Sequence, residues 1–78
     1  MSKEYLTIGE ISKKMNVTVR TLQYYDTEGL LKPSMLSEGG RRLYSSKDII
    51  KLYQILSFKS LGFSLEDIKE RVLKMDTP

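Results

Sequence analysis

A mainly α domain, laid out as helix, turn, helix, β-hairpin, helix, helix, is the fold class the chain predicts, and three observations predict it. Leu6-Thr7, Val17-Thr18 and Phe63-Ser64 each pair an apolar residue with a hydroxyl side chain able to cap free amides, so helix starts recur along the sequence. Only about two residues separate the first two helical patterns, which forces a sharp corner. Between the second and third patterns lies KPSMLSEGGRRLYSS, where a proline and a glycine pair break helical periodicity. The result is a winged helix-turn-helix with a second helical pair behind it, filling residues 1–78 as a single domain.

Taken in order, Thr7 and Glu10 stand at the spacing of a capping box, in which each side chain accepts from the other's backbone amide. Leu6 and Ile11 occupy the positions of a hydrophobic staple, and Ile8, Ile11 and Met15 form a stripe at helical spacing. Thr18 caps the second helix, Val17 staples to Leu22, and Asn16 suits the turn between the helices. Pro33 then blocks helix continuation, and Gly39-Gly40 supplies the positive φ of a two-residue hairpin turn within residues 35–44. Ser45 or Ser46 caps a third helix from about Lys47 to Leu61, with Ile49, Leu52, Tyr53 and Leu56 on one face, and Gly62 closes it. Ser64 caps the last helix, Asp67 fills its N3 position, and Phe63 can staple to Ile68. That helix runs from Leu65 to about Lys74, with Leu65, Ile68, Val72 and Met75 facing inward.

Composition narrows the function. Of the 78 residues, 40% are hydrophobic and 29% charged, as in a soluble globular chain, and apolar runs never exceed two residues. No segment can therefore span a bilayer, the polar start MSKEY lacks a signal-peptide core, and a cytoplasmic location is expected, with no membrane partner. Zero cysteines exclude disulfides and thiolate metal sites, and zero histidines remove the commonest acid/base and metal-binding side chain, so no cofactor or metal is expected. Glu66, Asp67 and Glu70 are the only dense carboxylates, and capping with dipole compensation accounts for them. No nucleophile sits beside a base and no phosphate-cradling glycine motif occurs, which argues against an enzyme. The net charge of +3 leans toward a polyanionic partner without deciding the matter.

The stretch NVTVRTLQYYDTEGLL carries the sharper signal. Wound at about 100° per residue, it sets Val19, Leu22 and Tyr25 in one arc and Arg20, Tyr24 and Thr27 in the opposite one. Arg20 and Tyr24 then look outward together, with Thr18 and Thr21 bordering them at the amino end, where the helix dipole suits a phosphate. A solvated i,i+4 pair is the plainer account of Arg20 and Tyr24. Tyr25 lies at the edge of the buried arc, its ring toward the core and its hydroxyl toward the surface. In the hairpin, alternation places Arg42 and Tyr44 on one face and Arg41 and Leu43 on the other. Arg41 and Arg42 equally fit the role of charges that keep an exposed strand edge from pairing. Lys59, near the end of the third helix, also offsets that helix's dipole.

With these residues in place, the chain from Thr7 to Leu73 resembles the DNA-binding domain of the MerR (mercury-resistance regulator) family of bacterial transcription factors. The carriers are TIGEISKKMNVTVRTLQYYDTEGLL for the helix-turn-helix, GGRRLYSSKDI for the wing and the helix after it, and LGFSLEDIKERV for the last helix. The resemblance implies recognition-helix contacts to double-stranded promoter DNA from Thr18, Arg20, Thr21 and Tyr24, and wing contacts from Arg42 and Tyr44. It assigns Tyr25 and Lys59 to gripping the distorted backbone, as in the drug-sensing branch, and makes Arg41 an additional contact. Gln23 departs from the more usual arginine, removing one cation. Homodimers formed through a further helix, a C-terminal sensor, and indirect action on RNA polymerase by bending and untwisting promoters are also implied. After Lys74 only MDTP remains, so either the chain is cut at a domain boundary or it is a free-standing relative.

Two rivals stand beside this expectation. An architectural DNA binder similar to a phage excisionase shares the winged-helix build and needs no sensor. A helical protein-interaction module would use the Tyr24 and Phe58 surfaces as an apolar patch.

Overall fold

The computed structural model describes residues 5–75, apart from the side chains of Leu73 and Met75; the inward Met75 expected above lies outside what is described. The elements are β1 (Leu6–Thr7), α1 (Ile8–Met15), α2 (Val19–Thr27), β2 (Met35–Leu36), β3 (Arg42–Tyr44), α3 (Ser46–Ser60) and α4 (Leu65–Met75). Among the described residues no helix is long and apolar enough to cross a membrane.

The helix starts follow the capping chemistry. Glu10 N–H donates to Thr7 Oγ1 at 3.2 Å while Thr7 N–H donates to Glu10 Oε1 at 2.8 Å, closing the box at the head of α1. Ser45, with Asp48 as its reciprocal partner, does the same for α3, and Asp67 N–H donates to Ser64 Oγ at 3.2 Å at the start of α4. The corner between α1 and α2 turns on Asn16, whose left-handed φ of 55° sends its N–H back to the Ser12 carbonyl. Asparagine tolerates that conformation better than other residues with a Cβ. Val17 N–H also donates to Ser12 O, at 3.1 Å, and the Ser12 hydroxyl donates to the Val17 carbonyl, so one serine fastens both strands of the turn.

One core serves all the elements: Ile11 of α1, Leu22 and Tyr25 of α2, Leu30 and Leu31 beyond it, Tyr44 of β3, Leu52 and Ile55 of α3, Ile68 and Val72 of α4. Leu30 and Leu31 reach it because both their amides donate to the Tyr25 carbonyl, at 2.8 and 3.2 Å, after Gly29 turns the chain with φ 74°. Ile8, Met15, Val17, Ile49, Leu56, Phe58, Phe63 and Leu65 pack around the rim. Phe58 and Phe63 meet edge to face at 5.5 Å across the α3–α4 corner, and the Arg71 guanidinium lies 4.4 Å from the centre of the Phe63 ring.

Three expectations are corrected. The hairpin expected over residues 35–44 is present as β2 and β3, and β1 extends it to a three-stranded antiparallel sheet in the order β1-β3-β2, with Leu6 opposite Tyr44 and Met35 opposite Leu43. Its turn has three residues rather than two: Ser37 N–H donates to Arg41 O, Gly40 N–H donates to Ser37 O, and Gly40 alone of the glycine pair has positive φ, at 77°. Tyr53 stands 66% exposed, because the buried stripe of α3 centres on Leu52 and Ile55 and a residue about 100° from Leu52 falls beyond its border. Tyr44, expected beside Arg42 on an outward face, is 0% exposed, because α1 and α3 pack against β3 and its ring joins their buried residues in the core.

Candidate nucleic-acid interface

The second helix of the corner turns one face to solvent. Arg20 and Tyr24, four residues apart, are both exposed, Tyr24 by 51%, while Leu22 and Tyr25 are buried beneath them. Arg20 has no intramolecular partner among the described residues. The rings of Tyr24 and Tyr25 lie 6.3 Å apart at 46°, so the buried ring supports the exposed one from below. Burial, reinforced by the neighbouring Tyr24, raises the Tyr25 phenol above its usual value.

The amino end of α2 leaves its positive pole uncompensated. Thr18 takes extended geometry (φ −77°, ψ 153°) and its Oγ1 accepts from Thr21 N–H at 3.0 Å while donating to Thr21 Oγ1 at 2.8 Å. The Thr21 hydroxyl hydrogen is thereby left to donate outward. The first turns of α1, α3 and α4 carry Glu10, Asp48, and Glu66 with Asp67, whereas the first turn of α2 carries no acid. Among the described helices its positive pole alone lacks a carboxylate in its first turn.

At the other end of α2 a link to the wing appears that the sequence reading missed. Arg42 Nε donates to Asp26 Oδ2 at 2.7 Å, and Lys32 Nζ approaches Asp26 Oδ1 at 3.6 Å. This hydrogen bond holds Arg42 further up its already high range. The signal was present in the sequence: an aspartate in the last turn of a helix, with no base in that turn, opposes the dipole and calls for a cation from elsewhere. Arg41 is exposed next to Arg42 on the wing. A shallow cleft between the wing and the start of α1 is lined by Thr7, Ile8, Gly9, Gly40, Arg41 and Arg42.

Of the residues singled out in the sequence, Thr18, Arg20, Thr21 and Tyr24 thus share the outer and leading faces of α2, and Arg42 is tied to the end of the same helix. Lys59 is exposed in the last turn of α3, at the separate α3–α4 corner. Tyr25 and Tyr44 lie below the surface, where they support it. The Tyr44 hydroxyl is buried without a hydrogen-bond partner among the described residues, and desolvation, with a smaller contribution from the Asp26 charge, pushes its titration upward. Phe58 is half-buried, its ring edge to face with Phe63 at the α3–α4 corner. Among the described residues no three acidic side chains gather as a metal site would require.

The architecture is that of a winged helix-turn-helix domain. Residues 6–74 match the family described as MerR HTH family regulatory protein. Over 63 residues the chain is 46% identical to the HTH-type transcriptional activator mta of Bacillus subtilis (strain 168), covering 81% of this chain and 24% of that protein. A MerR family transcriptional regulator from Bacillus cereus superposes with a TM-score of 0.88 at 49% identity, over 95% of this chain and 55% of that one. HiNmlR, a MerR family regulator lacking the sensor domain and solved bound to promoter DNA, gives 0.83 at 32% identity, over 91% of this chain and 54% of that one. The chain belongs to the MerR family of helix-turn-helix regulatory proteins. It spans about a quarter of the length of the first curated relatives it matches.

Proposed function

We propose that the chain is the sequence-specific DNA-reading domain of a transcriptional regulator, a binding module of the cytoplasm rather than an enzyme. In this reading α2 enters the major groove, and the wing, through Arg41 and Arg42, holds phosphates flanking it. The observation that carries the reading is the outer face of α2, where Arg20 and Tyr24 stand exposed beyond an amino end without a first-turn acid. Promoter DNA bound to a relative of the same fold supports it. Lys59, on the other helical corner, grips the backbone further along. Tyr25 and Tyr44 act from beneath, by fixing the height of α2 and of the wing.

Two copies would address successive major grooves about one helical turn (~34 Å) apart, so the regulator works as a homodimer. Its effect on RNA polymerase is then indirect, through the bend and twist that paired domains impose on a promoter. The test is an anisotropy titration with a duplex enriched from a randomised pool. Arg20→Ala is expected to weaken binding by roughly tenfold or more, the discrimination a good base or phosphate contact supplies. An Arg20→Ala variant that binds like the parent would exclude α2 as the reading helix.

A further inference from the structure

We infer that Asp26 is a positioning residue for DNA binding: its carboxylate holds the Arg42 guanidinium through Nε and so leaves both Nη groups at the far end of the fork for a phosphate. The inference rests on the DNA-binding reading above. It starts from which atom is held. Arginine carries five N–H donors in a rigid plane, and a phosphate is gripped bidentately by a pair of them. In this structure Nε is committed to Asp26 Oδ2 at 2.7 Å, and no bond from either Nη to another described residue is present. The Arg42 side chain is 37% exposed, so its guanidinium is oriented by the Nε bond with the outer edge unspent.

The placement of the carboxylate makes the point sharper. Asp26 lies in the last turn of α2, where its charge adds to the negative pole of the helix, and it sits against the wing arginine through which a polyanion would be held. Both effects are unfavourable. They are offset by the charge-assisted bond to Arg42 and by the longer approach of Lys32, which is 70% exposed and contributes little. The same bond joins the end of α2 to β3, so the spacing between the helix in the groove and the cation on the flanking phosphate is set before any DNA arrives.

The test compares Asp26→Ala with Asp26→Asn. Each removes the same charge, and by charge alone each should bind DNA more tightly than the parent. Only asparagine can still accept from Nε. If Asp26 positions Arg42, the alanine variant binds the enriched duplex roughly tenfold more weakly than the asparagine variant, and more weakly than the parent despite its added net positive charge. In an Arg42→Ala background the two become indistinguishable. Thermal melts establish that each variant is folded, and the ¹⁵N-detected Arg42 Nε–H resonance gives a readout without DNA, its hydrogen exchange quickening in the alanine variant. Alanine and asparagine variants of equal affinity, or a gap that persists without Arg42, would overturn the inference while leaving the DNA reading intact. A parent chain that shows no salt-dependent duplex binding would overturn both.

Discussion

Tyr44 is the residue on which stability and the wing meet. Its ring fills the core opposite Leu6, yet its hydroxyl finds no partner there, and an orphaned buried donor costs about 1–3 kcal/mol. Tyr44→Phe keeps the ring and removes the orphan. The variant is expected to be more stable by on the order of 1 kcal/mol, a rise of roughly 4–8 °C in Tm for a domain of this size, with duplex affinity unchanged. It also changes the alkaline limb. Burial raises the phenols of Tyr25 and Tyr44 in the folded state, whereas unfolded tyrosines release their protons near pH ~10. Their contribution is therefore fully present below about pH 10 and is lost as pH rises through the folded values. Urea midpoints measured at about pH 7 and about pH 11 should fall less in Tyr44→Phe than in the parent, since one of the two raised phenols is gone. The sequence showed that Tyr44 shares a face with Arg42 but not which face lies inside. That depended on α1 and α3 packing against β3, a three-residue strand too short to display a period of its own.

Among the elements, α2 and the wing turn concentrate the local chemistry that sequence made legible. Capping side chains, the asparagine of the corner and the apolar stripes of α1 and α4 act within three or four residues, so their spacing announces them. The Asp26–Arg42 link spans sixteen residues, and only its electrical anomaly at the end of α2 was local. Thr18→Ala should destabilise by about 1 kcal/mol through loss of the cap, and Thr18→Ser, which keeps the oxygen, should not; chemical denaturation separates the two. The glycine pair of the wing divides in the same way. Gly40 has φ 77° with open space around it, so Gly40→Ala costs about 1–2 kcal/mol of backbone strain, visible as a lower Tm. Gly39 has neither a positive φ nor a neighbour within 4 Å, and Gly39→Ala should move Tm by no more than a few degrees.

For the molecule as a whole, the order of elements was legible because helix starts, a proline and a glycine pair punctuate the chain, whereas Leu30, Leu31 and Tyr44 entered the core through tertiary turns that no periodicity marks. In the proposed reading affinity is a property at this scale too, summed over Arg20 on α2, Arg41 and Arg42 on the wing, and Lys59 on α3. Four phosphate contacts give a slope of log affinity against log salt of roughly −3 to −4, or on the order of a hundredfold loss between about 50 and 200 mM. Arg42→Ala should flatten that slope by roughly one, and an unchanged slope would remove the wing from the contact surface. Antiparallel pairing of Leu6 with Tyr44 and of Thr7 with Leu43 sets Tyr5 beyond the Tyr44 end of β3, so it lies at the opposite end of that strand from Arg41 and Arg42. A fluorophore attached at the exposed position of Tyr5 would consequently report from the far edge of the wing and leave the cations under assay unobstructed.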